Sequence, residues 1–248
     1  MKKNHILEKY YCSRCGVETL PTINSVNIDG IVLCMKCSDL FAEETNLLHK
    51  FYCIPPLMVD GVKKVLEGLR SIYPDLNLES QHMKQTPARV ARMFVELCSG
   101  LGQDPKRHLE TAFVESNYGG IVLVKNIQFV SLCMHHLVPF RGVAHVGYIP
   151  EGKIVGLSKI NRVVEILAAR PQVQERLTRD VVHVIQNTLE PKGVMGVFQA
   201  RHDCIEIRGV KSKGSSTMTS ELTGIFIENS KNCKDEFLGL ISEDLSKI

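Results

Sequence analysis

"IVLVKNIQFVSLCMHHLVPFRGVAHVGYIP", residues 121–150, holds two runs rich in β-branched residues, 121–132 and 143–149, that read as strands. Their connection packs Cys133, His135 and His136 into four positions and then adds Pro139. Taken alone, the cluster reads as readily as a buried cysteine beside two incidental surface histidines as it does a metal site. The flanking sequence has to decide between them.

Outward from this pair the pattern turns helical. Upstream, Val62, Val65, Leu66, Leu69 and Ile72 recur at three- and four-residue steps from residue 57 onward, one apolar stripe expected to face a core. A second helix starts at Thr86-Pro87, with Thr86 as N-cap and Pro87 at the first helical position, and carries Val90, Phe94 and Leu97 toward Gly100. Downstream, Ser158 is expected to cap a helix bearing Ile160, Val163, Val164, Leu167 and Ala168, broken at Arg170-Pro171. A further helix is expected from Pro171 to near Pro191-Gly193, followed by strands over "VMGVFQA" and "CIEIRGV". The order helix, helix, strand, strand, helix, helix, strand, strand predicts an α+β domain, a sheet with helices on one face.

The chain has 248 residues, 44% of them apolar and 23% charged, with a formal charge of +3. That balance fits an ordinary globular protein and gives no ground for nucleic-acid or anionic-membrane binding. No apolar run reaches the length of a membrane span, and "MKKNHILEKYYC" has no apolar segment behind its lysines, so the expected location is the cytosol, without membrane association. Disulfides are disfavoured there, and nine cysteines point first to thiolate–metal chemistry. Cys12-Ser-Arg-Cys15 and Cys34-Met-Lys-Cys37 are matched CxxC pairs around an eighteen-residue insert with an Asp-Gly hairpin signal. Four such thiolates suit a tetrahedral structural zinc in a zinc-ribbon-like module over 1–41, which has too few residues to fold on apolar burial alone. Residues 42–56, ending in Pro55-Pro56, read as a linker, 57–240 as the main domain and 241–248 as a tail. Nothing in the module names its partner.

In the expected last strand, period-two alternation puts His202, Cys204, Glu206 and Arg208 on one face, an arrangement that suits a site lining. Cys133 and His136, three apart on a turn, with Cys204, give three protein ligands and an open fourth position, the pattern of a catalytic zinc that produces hydroxide near neutral pH. His135 and His202 beside it suit proton transfer. "GLSKINR" places Ser158, Lys159 and Arg162 at a helix N-terminus, a polyphosphate cradle to which Arg208 adds charge. Gln174 and Glu175 match the N–H donors and carbonyl of a guanine edge. Alone, the first reads more readily as a capped, solvated helix end, and the second as ordinary surface residues of an amphipathic helix.

"CMHHLVPFRGVAHVGYIP", "GLSKINRVVE", "RPQVQERLT", "HDCIEIRGV" and "SSTMTS" together resemble GTP cyclohydrolase I in order and spacing, over residues 57–240. The resemblance implies a tunnelling fold whose subunit sheets join into a pentameric barrel, two rings stacking into a homodecamer with sites between subunits. It implies conversion of GTP and water to 7,8-dihydroneopterin triphosphate and formate. Cys133, His136 and Cys204 would bind the catalytic zinc, one of two zincs per subunit with the structural one. Activated water would attack C8 of guanine, with His202 and His135 moving protons and Ser158 assisting the later ribose rearrangement. Gln174 and Glu175 would hold guanine; Lys159, Arg162 and Arg208 would hold the triphosphate, joined by Arg89 from a neighbouring subunit.

Two positions depart from the family pattern. Met134 stands where a glutamate is usual, and Asp203 where an apolar residue is more common; a carboxylate at 203 is expected to raise the pKa of a nearby imidazole. Cys53, Cys98 and Cys233 read as small buried hydrophobes. A catalytically silent nucleotide- or partner-binding ring, and a related nitrile reductase using a nucleophilic thiol and a nicotinamide, are the competing readings. The first would need a broken constellation, and the second a thiol not committed to metal.

Overall fold

The computed structural model describes residues 54–115, 118–228 and 230–244, with four short strands before them given as backbone only. These are β1 (Tyr10–Tyr11), β2 (Glu18–Thr19), β3 (Ser25–Ile28) and β4 (Ile31–Cys34). β3 and β4 pair from Ser25↔Cys34 to Ile28↔Ile31, the hairpin that the Asp-Gly signal predicts. Cys12, Cys15 and Cys37, and with them the four-cysteine zinc reading, lie outside the described residues, as does nearly all of the linker.

The chain divides into two compact units, residues 1–96 and 97–248. The first unit contains α1 (Pro56–Ile72) and most of α2 (Thr86–Leu97). Ile54, Val59 and Ala91 form a small buried cluster there. The apolar stripe of α1 departs from expectation. Val65 and Ile72 are 63% and 67% exposed, so the periodicity is real but the described residues leave part of the predicted face uncovered.

The second unit is built on one sheet. β6 (Val122–Cys133) and β7 (Pro139–Ile149) form a long antiparallel pair, as the alternation in residues 121–149 requires. β10 (Gly193–His202) lies along β7, and β11 (Thr217–Leu222) along β10. The two-residue β9 (Pro171–Gln172) runs parallel to the end of β6, giving the order β11-β10-β7-β6-β9. A separate pair joins β5 (Ala112–Val114) to β8 (Lys153–Val155).

On one face of the sheet pack α3 (Leu157–Ala168) and α4 (Gln174–Leu189), burying Val163, Val164, Leu167, Leu177, Val181, Val182 and Ile185 against Phe140, Ala144, Val194 and Phe198. The opposite face, reached by the alternate residues Ile149, Met195 and Val197, is covered at one end by Phe226, Phe237 and Ile241 of α6 (Ile225–Glu228) and α7 (Ser230–Ile241). Among the described residues no helix is long and apolar enough to cross a membrane.

Three local expectations are corrected. Gly156, not Ser158, is the N-cap of α3, and Ser158 sits inside the first turn with no capping bond. Pro171 begins the short strand β9 rather than a helix, because the backbone there pairs with Leu132 and Cys133; α4 starts at Gln174. The expected strand over 204–210 is absent. β10 ends at His202, and residues 203–206 form the helical turn α5 (Asp203–Glu206), while the true neighbour of β10 is the Thr-rich β11.

Candidate metal centre

β6 and β7 are joined by a turn that opens at Cys133. The Cys133 amide donates to Val138 O at 2.9 Å, and the amides of His136 and Leu137 both return to Cys133 O. Leu137 takes a positive φ of 54° to close this turn. Met134 N donates to Gln172 O at 3.0 Å, tying the turn to β9 and thus to the start of α4. The chain between α3 and α4 therefore delivers residues 174 and 175 beside the cysteine turn.

Cys204 comes from the same end of the sheet, two strands away from β6. β10 runs antiparallel to β7 with His202 opposite Phe140, and α5 then turns Cys204 back toward the β6 end. One ligand atom each from Cys133, His136 and Cys204 lies within 4.8 Å of the others, the three-ligand set that the sequence pointed to. Cys133 Sγ stands 3.7 Å from His136 Nδ1. His135 Nδ1 is 3.8 Å from the same sulfur, so its ring is beside the trio rather than directed wholly away from it.

The donor set fits a zinc ion. Both thiols are buried, and the Cys204 thiol is pushed above its ordinary range by burial first and by Cys133 beside it second, with Arg208 opposing. Two neighbouring buried thiols ionise together only where a cation compensates them, and two sulfurs with one imidazole suit zinc.

His202 is the most constrained group near the trio. Its ring stacks on Phe140 with centroids 4.7 Å apart and planes 4° from parallel, and its Nε2 is 2.8 Å from Gln174 Oε1. The Gln174 amide nitrogen donates to Phe198 O, Thr217 O and Thr219 Oγ1, which fixes the amide so that Oε1 faces His202. His202 must then carry its proton on Nε2 and leave Nδ1 as the basic nitrogen. Burial lowers the His202 pKa; the Glu175 and Asp203 carboxylates act in the other direction and lose. Asp203 raises the imidazole as expected of a carboxylate there, but burial outweighs it.

This geometry also bears on Gln174. It is 2% exposed, and its side-chain amide is hydrogen-bonded within the chain to Phe198, Thr217, Thr219 and His202. Glu175, one residue on, is exposed at the first turn of α4. No sequence signal distinguishes an internal glutamine from a ligand-facing one here; Thr219, its partner on β11, lies 45 residues away.

Lys159 and Arg162 occupy the first turns of α3, with Ser158 exposed beside them. Sequence reasoning missed His108, at the end of a 3-10 turn (Pro105–His108). Burial lowers its pKa, and the positive charges of Arg162 and Lys159 lower it further, so three basic side chains share this corner. Arg208, exposed, follows α5. Arg89 belongs to the first unit, where its guanidinium donates to Gln85 at 3.2 Å. The Met134 sulfur lies 3.1 Å from an Arg176 guanidinium nitrogen.

Comparison with known proteins bears directly on this arrangement. The family model described as GTP cyclohydrolase I matches residues 62–242. A protein named GTP cyclohydrolase 1 from Geobacillus kaustophilus (strain HTA426) is 50% identical over 174 residues, 70% of this chain and 90% of its own length. Proteins of that name from Rhodopirellula baltica (49% over 186 residues, 75% of this chain and 78% of the relative) and Listeria welshimeri (45% over 188 residues, 75% and 96%) are similar over the same region.

Proposed function

The chain belongs to the GTP cyclohydrolase I family, and from that premise we propose how its own residues divide the work. It is a GTP cyclohydrolase, converting GTP and water to 7,8-dihydroneopterin triphosphate and formate at the first step of pterin biosynthesis. The observation that carries the site assignment is the convergence of Cys133, His136 and Cys204 within 4.8 Å, from two turns 70 residues apart.

These three residues would hold the catalytic zinc. Bound there, zinc supplies the Lewis acidity that makes hydroxide available at neutral pH for attack on C8 of guanine. The protein must move protons and fix the substrate. His202, neutral and with Nδ1 basic, accepts a proton; the Phe140 face and the Gln174 carboxamide hold the ring in that tautomer and orientation. His135, exposed beside Cys133, exchanges protons with solvent as the imidazole ring of the base opens and formate leaves. The Glu175 carboxylate takes the N–H donors of the guanine edge, with Gln174 acting through His202.

Lys159, Arg162 and Arg208 bind the triphosphate as charge-assisted donors, and Arg89 reaches it from a neighbouring copy. Ser158, in the exposed first turn of α3, assists the later ribose rearrangement. Two features support assembly into a barrel of copies, five to a ring and ten in all. β11 is an outer strand, and β6 is met by β9 only at Leu132 and Cys133, so both flanks of the sheet offer backbone groups to a neighbour. A second zinc, structural, is assigned to Cys12, Cys15, Cys34 and Cys37, and the enzyme to the cytoplasm.

Incubation of the zinc-loaded protein with GTP tests the reading: formate and the fluorescent pterin formed after oxidation should appear in equal amounts. Bound GTP that yields neither product would turn the molecule into a silent nucleotide-binding ring.

A further inference from the structure

Arg141 and Arg201 have no part in the mechanism above, yet they are cross-strand partners at the ends of β7 and β10, where two like charges side by side repel. Each finds an acid on α5, the turn that carries Cys204. Arg141 Nη2 reaches both oxygens of Asp203, at 3.0 and 3.1 Å. Arg201 grips Glu206 in a two-bond fork, Nε to Oε1 at 2.8 Å and Nη2 to Oε2 at 3.0 Å. Asp203 and Glu206 are the first and last residues of α5, so the pairs hold both ends of the turn.

The two arginines occupy the sheet face opposite Phe140 and Phe198, since Arg141 and Arg201 alternate with the residues of the main core. The cluster therefore braces the turn from behind and leaves the metal side open. Surface ion pairs usually contribute little, but here the acids' side chains are only 12% and 11% exposed, and the forked geometry limits rotamer loss. The coupling runs across the square: Glu206 is held below its ordinary range by Arg201 and also feels Arg141, and the Arg201 pKa is raised by Glu206 with help from Asp203. From the backbone, Ile207 N returns to Asp203 O at 3.1 Å and Ser212 N reaches Ile205 O.

We propose that Arg141 and Arg201 form a two-armed ionic clamp on α5 that sets the position of Cys204, making both arginines positioning residues of the metal site. The inference rests on the reading that Cys204 is a zinc ligand. Groups that orient metal ligands typically change metal affinity about 10- to 100-fold when removed.

The test is competition of the full-length, zinc-loaded protein against a chromogenic chelator, following the zinc that Cys204→Ser loses. Arg141→Met and Arg201→Met should each weaken that zinc about tenfold, and the double variant further, with kcat recovered at saturating zinc. High salt should weaken zinc binding in the unaltered protein and leave the double variant unmoved. Arg201→Lys, with charge but no fork, should restore only part of the affinity. If the methionine variants fold poorly, Asp203→Asn, of the same shape, reads the Arg141 arm of the clamp. Affinity within twofold of the unaltered protein in a folded double variant, or in folded Asp203→Asn, overturns the clamp. Cys204→Ser that keeps all its zinc overturns the ligand reading instead.

Discussion

Residues 133–137 fold on their own backbone: three amides converge on Cys133 and Val138, a fourth reaches Gln172, and a positive φ at Leu137 closes the turn. Residues 203–207 make a single short helical turn, Ile207 N returning to Asp203 O, with an ion pair to an arginine at each end. Both turns deliver metal-binding side chains from strand ends of a single sheet. The difference teaches that the two halves of one site are fixed by different forces, main-chain geometry on one side and side-chain charge on the other. Perturbations should therefore separate them.

The largest separation is expected at His202, which precedes the charge-held turn and is positioned by Phe140 and Gln174 rather than by the clamp. His202→Ala should lower kcat by about 10²- to 10⁴-fold, the usual contribution of a positioned acid–base group, with zinc content unchanged. Metal analysis beside steady-state kinetics checks this. Loss of zinc together with activity would mean that the imidazole supports the ligands rather than the chemistry.

A smaller but general effect is expected at Gly142, between the two strands that carry the arginines. A Cβ there would stand 1.9 Å from Gln199 O and 2.6 Å from Ala200 Cα, so Gly142→Ala must push β10 from β7. A loss of about 3 kcal/mol is expected, at the upper end of overpacking costs, read as a lower denaturation midpoint. The charge-held turn should loosen before the backbone-held one, so that the Cys204-dependent zinc is released more readily. An unchanged midpoint would show that the strand pair is more compliant than this contact implies.

The mildest effect concerns pH. His145 is fully buried on the same face of β7 as Arg141; its Nδ1 lies 3.5 Å from Asn126 N, and its Nε2 has no hydrogen-bond partner among the described residues. Burial lowers its pKa below the ordinary 6.5, the Asp244 carboxylate opposing and the Lys125 ammonium assisting. The unfolded chain then binds the proton more readily than the folded one. Stability should decline as pH falls below about 6.5 and level off once pH passes below the folded-state pKa. His145→Leu should flatten that slope in denaturant titrations. An equal slope in the variant would assign the acid sensitivity to carboxylates.

The β6–β7 pair was legible because both runs are rich in β-branched residues and tertiary contacts agree with local preference. Cys133, His136 and Cys204 were legible because few other combinations of donor type and spacing satisfy a metal. "CIEIRGV" misled: its period-two alternation imitates a strand, while Asp203 and Glu206, three apart, meet two arginines whose adjacency only the sheet register creates. The internal partners of Gln174, namely Phe198, Thr217 and Thr219, were not legible for the same reason, since they are distant in sequence. The stripe of α1 was read correctly as apolar, but which surface covers it is not written in a single chain.

The most direct measurement counts zinc per subunit and formate released from GTP in the same samples of the unaltered protein and Cys204→Ser. The account predicts that the variant stays folded, carries one zinc fewer and releases almost no formate. Full turnover by a Cys204→Ser protein that retains its zinc would contradict it.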